Sequence, residues 1–459
     1  TSSTQLQALT DALVYLNDYP FHCSEQVSSR ILANAALYPV LDAFAAEQLP
    51  SKEAMKATMQ VDFDTLARRQ RGNGGFSYWG RSDDVYPYPS LHALHALVRA
   101  RDGGWEPPAG TIQRGLIYAK NIERHIPHWY SENAKRTIRS YAVYVRHRAG
   151  DDDAGEARKL AGFGTGGLSL EAQGWIVPTL DATGQDASVQ TFLRHWDNKA
   201  VETAAATFES SYTDTNDYVL LHGSRRTDAV LLETLLEVHP KHDLNEKIVV
   251  GLLGHRRKGR WSSTQENSFV LLALHRYFGV YEGVTPDFIA KAWLDDGFAG
   301  QHAFKGRTTE RSHIDVPMQW MQEGAATKQL TLAKEGPGRV YYRVGLRYAP
   351  KDLQLPPADH GFAVERTYEA VDDEEDVKQD ADGTWRIKAG AQVRVRVSMV
   401  AESRRTMVAL VDPMPGGFEA LNPALAVTGT IPADPDAAKN EPYWWWSRPW
   451  YNHQNLRDE

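Results

Sequence analysis

The sequence predicts a multidomain α plus β chain: an α/α-toroid over residues 1–300, a β-segment over 301–354 and a β-sandwich over 355–459. Three observations carry this expectation. Apolar residues recur at helical spacing through the first part, they alternate with polar ones through the second, and Gly-rich or polar turns punctuate the helical stretches.

The helical stretches come first. Leu91 to Val98, Ile138 to Val145, Leu168 to Thr179, Val230 to Leu236 and Phe269 to Leu274 are apolar at helical spacing or all round. Turn signals stand before several of them, at Asn73-Gly74-Gly75-Phe76, at Gly164-Thr165-Gly166-Gly167 and at Gly259-Arg260-Trp261-Ser262-Ser263-Thr264-Gln265. Helix pairs that repeat every roughly 30 to 60 residues cannot bury their apolar faces alone and stack on their neighbours. Closed on itself, such an array is a ring with an inner and an outer helix layer, the inner helices being apolar on most sides.

The character shifts near residue 300. Gln329 to Leu332, Arg339 to Tyr348 and Gln392 to Val400 alternate as half-buried strands do. Leu355-Pro356-Pro357-Ala358-Asp359 has the composition of a linker, which sets the boundary of the last domain. The acidic run Asp372 to Asp376 lacks the spaced ligands of a calcium loop and is expected to be a solvated turn.

Composition bounds the function. A net charge of −8 argues against nucleic-acid binding, since basic clusters such as His255-Arg256-Arg257-Lys258 are short. No apolar run approaches the roughly 18 to 20 residues that cross a bilayer, and the first residues lack the regions of a signal peptide, so a cytosolic protein or an excised piece of a longer one is expected.

Of the 459 residues one is cysteine, Cys23, in the run Tyr19-Pro20-Phe21-His22-Cys23-Ser24-Glu25-Gln26. A lone thiol is not a disulfide framework, and without C-x-x-C or H-E-x-x-H it makes no metal site. The run looks like a helix start, where positions i and i+3 share a face. The Cys23 sulfur and the Gln26 carboxamide then meet across one turn, and attack of sulfur on that carbonyl with loss of ammonia would close an internal thioester. Thiolates leave readily, with a conjugate-acid pKa of about 8.5, so such a bond is open to amines, hydroxyls and water and must be kept dry. Tyr19, Pro20 and Phe21 are the types that would wall it off; Glu25 would point away from it. The bland reading is a buried, inert cysteine.

The pattern Tyr19-Pro20-Phe21-x-Cys23-x-Glu25-Gln26-x-x-Ser29-Arg30 resembles the thioester motif of the alpha-2-macroglobulin family, most closely its bacterial members. Val411-Asp412-Pro413-Met414-Pro415-Gly416-Gly417-Phe418-Glu419-Ala420-Leu421-Asn422 resembles a stretch of the family's final macroglobulin-like domain, so the likeness covers nearly the whole chain. His22 departs from the pattern, which has glycine there. The resemblance implies a thioester domain at 1–300, the C-terminal part of a CUB-like domain at 301–354 and a macroglobulin-like sandwich at 355–459. It further implies a protease-trapping inhibitor of single turnover, not an enzyme, in bacterial defence. Cleavage of a bait region elsewhere in a larger protein would expose the bond, and a lysine of the captured protease would take the Gln26 acyl group while Cys23 leaves. Tyr19 would shield the bond with Phe21 and a residue of a later domain, for which Tyr451, beside Tyr443-Trp444-Trp445-Trp446, is the candidate.

The implied partners are target proteases and the remaining macroglobulin domains, with no nucleic acid and no membrane contact by this stretch. A monomer without cofactor or metal is expected, in the periplasm, the full protein being open to an inner-membrane lipid anchor. In vertebrate relatives that prefer hydroxyls a later histidine attacks the thioester first; His128 and His125 stand at that stage of the chain, yet the motif around such a histidine is not evident, and direct lysine attack is expected. The rival readings are an α/α-toroid enzyme, terpene cyclase or glycosidase, for which Asp83-Asp84 and Asp151-Asp152-Asp153 are the acidic candidates, and a binding module with an inert cysteine.

Overall fold

The structure, a computed structural model, describes residues 1–4, 9–43, 51–80, 84–209, 212, 215–308, 310–322, 327–349, 358–359, 361–401 and 408–421. The chain divides into two units, Thr1–Gly345 and Leu346–Glu459.

Helices α1 (Thr10–Asn17), α2 (Ser24–Ala43), α3 (Lys52–Arg69), α4 (Pro87–Asp102), α5 (Ala109–Lys120), α6 (Glu132–Arg148), α7 (Ala154–Ala161), α8 (Gly164–Gly167), α9 (Leu170–Ala182), α10 (Asp186–Lys199), α11 (Ser224–Val238), α12 (Leu244–Gly254) and α13 (Thr264–Tyr281) fill most of the first unit. Six of them close a ring: α2 packs on α4, α4 on α6, α6 on α9, α9 on α11, α11 on α13, and α13 back on α2. Helices α1, α3, α5, α7, α10 and α12 pack outside it.

The sequence accounts for the starts of these helices. Ser131, Ser169 and Ser263 accept hydrogen bonds from the backbone N–H of Ala134, Ala172 and Glu266, capping α6, α9 and α13. Pro87 and Pro89 stand in the first turn of α4, where a backbone N–H has no helical partner and a missing donor costs nothing. The ring helices are buried nearly all round, as α4 shows from Pro87 to Val98, and the large side chains Trp175, Trp196, Trp261 and Phe269 fill one continuous core.

The ring helices run parallel. Residues near their N-termini meet one another, as Glu25 meets Thr264, Thr137 meets Ser169 and Glu171 meets Arg226. Residues toward their C-termini do the same, as Arg99 meets Glu233 and Arg148 and Arg276 meet Glu237.

Two short strands, β1 (Val201–Glu202) and β2 (Ala206–Thr207), pair beside α12. A sheet of order β4-β3-β5 follows, antiparallel throughout, from β3 (Asp287–Leu294), β4 (Gly297–Lys305) and β5 (Leu330–Glu335). The expected boundary at residue 300 lies inside β4, because β3 already alternates Phe288, Ala290, Ala292 and Leu294 inward. Helix α14 (Met318–Gln322) lies between β4 and β5.

The stretch Arg339 to Tyr348 differs from the half-buried strand expected of it. Its pairing is the single bridge of Tyr341 with Ser2, and Tyr342, Val344, Leu346 and Tyr348 are more than half exposed. Alternation of residue types makes a strand only where a partner supplies the ladder, and among the described residues none lies along this segment.

In the second unit β6 (Ala363–Ala370) pairs with β9 (Val393–Val400) and β7 (Val377–Gln379) with β8 (Trp385–Ile387), both antiparallel. Glu369 binds Arg396 at 2.8 Å, and Tyr368 meets Trp385 and Phe418 edge-on. The acidic run forms a 3-10 turn in which Asp373 caps, Glu375 pairs with Lys378 and Asp376 with Lys388 at 2.6 Å. The expected linker core Leu355-Pro356-Pro357, the aromatic cluster Tyr443 to Trp446 and Tyr451 lie outside the described residues.

Candidate functional site

Helix α2 begins immediately after Cys23, whose carbonyl accepts the first helical bond from Val27 N–H at 3.0 Å. Cys23 is therefore the N-cap and Gln26 the third helical residue. The Gln26 side chain folds back so that its Oε1 accepts the Cys23 backbone N–H at 2.9 Å. That is half of a capping box, in which a third-position Gln or Glu serves the N-cap donor and the N-cap side chain faces the first-turn N–H groups. The other half is occupied by sulfur: burial raises the Cys23 thiol pKa, with the Glu25 charge adding to it, and the Gln26 and Glu25 backbone N–H groups facing the sulfur offset only part of the rise.

Cys23 is 5% exposed and Gln26 half-buried. Ser24 ties the turn to a loop from the following helix pair: its N–H donates to Tyr78 O at 2.8 Å and its Oγ to Ser77 O at 2.6 Å. That loop is the Gly-Gly-Phe turn, and its glycines are required. Gly74 has φ +90°, and a Cβ on Gly75 would come within 2.4 Å of Val85 Cγ1. The Tyr78 phenol lies close enough to Cys23 that burial first, and the cysteine's charge second, push its pKa up. Tyr78 was not singled out from sequence; the signal available was its place in Gly-Gly-Phe-x-x-Trp.

Tyr19 is half-buried between Tyr15, at 5.4 Å between ring centroids, and Phe21, at 5.9 Å. Phe21 itself is 59% exposed. His22 faces outward with Nδ1 at 3.3 Å from Arg30 Nη1, and Arg30 is held by Asp62 through paired bonds of 2.6 and 2.8 Å.

Glu25 turns away from the sulfur into the ring interior. Its carboxylate accepts Thr264 Oγ1 at 2.8 and 2.9 Å, Gln265 Nε2 at 2.7 Å and Ser29 Oγ at 2.8 Å. Gln265 Oε1 accepts from Tyr88 and from Arg226, which grips Glu171 by two bonds of 2.8 Å. His92 and His95, fully buried, share the Tyr141 hydroxyl at 3.3 and 3.0 Å. Burial, with Arg226 adding to it, drives the His92 pKa down to about 3, so the ring is neutral.

The two histidines expected as acyl-transfer candidates are not brought to Cys23 by any contact among the described residues. His125 stacks on Tyr118 at 4.2 Å, and His128 is exposed in the loop before α6. The acidic run of the glycosidase reading is engaged otherwise: Asp151 and Asp153 bind Arg146, Asp152 binds His147, and Asp153 also caps α7.

Residues 361–459 match the family described as Bacterial Alpha-2-macroglobulin MG10 domain. Circularly permutated Ras protein 2 of Dictyostelium discoideum is 25% identical over 91% of this chain and 13% of its own length. Alpha-2-macroglobulin of Escherichia coli (strain K12) is 24% identical over 90% of this chain and 23% of its own. The crystal structure of Salmonella alpha-2-macroglobulin reacted with methylamine shares the fold, with a TM-score of 0.52 at 20% identity over 87% of this chain and 24% of that one. The chain thus spans about a quarter or less of the length of these relatives. Domain match over residues 361–459, relatives along nine-tenths of the sequence and a shared fold together support a fragment of the bacterial alpha-2-macroglobulin family.

Proposed function

We propose that Cys23 and Gln26 form an internal thioester, and that the chain is the acylating part of a protease-trapping inhibitor. The carrying observation is the 2.9 Å bond from Cys23 N–H to Gln26 Oε1, within a turn whose cysteine is nearly enclosed. A donor on that oxygen polarises the carbonyl and stabilises the oxyanion formed when a nucleophile adds to it.

Closure joins the Cys23 sulfur to Gln26 Cδ, breaks the carbon–nitrogen bond and releases ammonia with the thiol proton. In capture a lysine amine bonds to the same carbon, the carbon–sulfur bond breaks, and Cys23 regains a proton as a thiol. Each molecule acts once, as a covalent trap. The closed ring of helices is the α/α-toroid of this reading, β3–β5 belong to its CUB-like part, and the second unit to a macroglobulin-like sandwich. Bait cleavage and the remaining macroglobulin domains belong to the longer protein, for which this reading implies the periplasm. No described helix is long and apolar enough to cross a membrane.

Incubation of the 459-residue chain with methylamine tests the reading. Fresh protein is expected to lack a free thiol and the mass of one ammonia; methylamine then releases the thiol and labels Gln26, and Cys23→Ala abolishes both signals. A free thiol with an undiminished mass in fresh protein would sink the proposal.

A further inference from the structure

We infer that Glu25, fastened to the first turn of α13 by Thr264 and Gln265, is the positioning residue that holds Cys23 and Gln26 in reacting register. The inference rests on the thioester reading and assigns to Glu25 a part in it.

Glu25 is the second residue of α2, between the two reacting residues, and the first turn of a helix is where fraying starts. Here it cannot fray freely. The carboxylate of Glu25, a residue 5% exposed, is held by three donors, Ser29, Gln265 and Thr264, whose single hydroxyl reaches both carboxylate oxygens. Those two residues open α13, so the positive end of that helix faces the anion. The clamp is rigid in turn, because Gln265 Oε1 is held by Tyr88 at 2.6 Å and Arg226 at 3.0 Å. Pinning the second helical position fixes the backbone on either side of it, hence the direction of the Cys23 sulfur and the Gln26 side chain. Orientation of this kind is where an intramolecular reaction gains most of its rate.

The chemistry of the clamp suits an acyl donor. A lysine paired with Glu25 would hold a primary amine one turn from a thioester and consume it. Thr264 and Gln265 offer a hydroxyl whose proton is committed to the carboxylate and an amide that is not nucleophilic. Among the described residues the basic side chain within 4.0 Å of the carboxylate is His92, with Nε2 at 3.9 Å, fully buried in the ring; Arg226 stands one amide away, on Gln265 Oε1.

The test compares Thr264→Val, which keeps the shape and loses the hydroxyl, with Thr264→Ser, which keeps the hydroxyl. Thioester formation, read from the ammonia mass deficit and methylamine labelling of the full 459-residue chain, is expected to fall about tenfold in Thr264→Val and to stay within about twofold of wild type in Thr264→Ser. Both variants should melt within a few degrees of each other. Should Thr264→Val fail to fold, Glu25→Gln, which turns an amide toward the Gln265 amide, is expected to lose thioester to the same extent. Undiminished thioester in Thr264→Val or, where that variant does not fold, in Glu25→Gln overturns the inference while leaving the thioester standing, as does an equal loss in Thr264→Val and Thr264→Ser. Wild-type protein that forms no thioester removes both.

Discussion

The two ends of the helical ring are built from the same six helices and differ in how densely they are ionised. At the N-terminal end two carboxylates meet neutral donors, Glu25 on Thr264 and Gln265 and Asp217 on Ser131 and Asn133, beside the buried pair of Glu171 and Arg226 that spans α9 and α11. Toward the C-terminal end Arg99, Arg148 and Arg276 gather around Glu233 and Glu237. Parallel helices add their dipoles, so one end welcomes anions and the other cations. The difference teaches where a reactive bond can be stored. The cationic end is a dense ionic network that binds its helices together, whereas at the other end Glu25, the carboxylate next to Cys23, is met by hydroxyls and an amide, and the pair of Arg226 and Glu171 is held apart from it by Gln265.

The largest effect is expected from breaking the cationic end. Burial opposes ionisation of Glu233, yet Arg99, Arg148 and Arg276 hold its pKa well below the usual range. Glu233→Gln leaves the Arg99 guanidinium buried without its counter-charge and should cost about 3 to 5 kcal/mol in chemical unfolding. A loss below about 1 kcal/mol would mean that the network is looser than its geometry.

The two ends should also fail at opposite pH. Burial pushes Asp228, five residues into the anionic end's α11, up to about 7 despite Arg225 and the Phe208 N–H. Its folded pKa lies above the unfolded 3.8, so its contribution is complete below that value and is lost as pH rises through 7, a span of about 4 kcal/mol. Glu237 runs the other way. Burial opposes it, but His147, Arg148 and Arg276 hold it down to about 2, so its contribution is present above 4.5 and lost as pH falls toward 2. Thermal melts across pH should show Asp228→Asn flattening the neutral limb and Glu237→Gln the acid limb; identical profiles for both variants would contradict the division.

The smallest effect sharpens the N-terminal end. Ser263 caps α13, whose first turn carries the Glu25 clamp, and Ser263→Ala should cost about 1 kcal/mol of stability. Methylamine labelling should slow more than that loss of stability explains, because the cap sits beside Thr264. Labelling unchanged by the variant would place the clamp's rigidity in Gln265 and its partners instead.

How much of this was legible beforehand depends on the range of each interaction. The closeness of Cys23 and Gln26 was legible, because residues three apart along one helical turn are neighbours whatever the rest of the chain does. The ring helices were legible from their apolar spacing, and the strands β5 and β9 from alternation. Arg339 to Tyr348 showed the same alternation and remains unpaired but for one bridge, since a strand is a property of two segments. Spacing does not tell what His92 and His95, three apart on one helix, do; their burial among Tyr88, Tyr141 and Phe269 turns them into neutral core.

By itself, then, the sequence determined the local things: which residues form the turn, that sulfur and carboxamide share it, and where the ring helices start. Tertiary structure alone decided what holds that turn. Thr264 lies 239 residues from Glu25, and Tyr78 reaches Ser24 across 54. No periodicity or spacing encodes such partners, because closing the ring is what brings the first and last inner helices side by side.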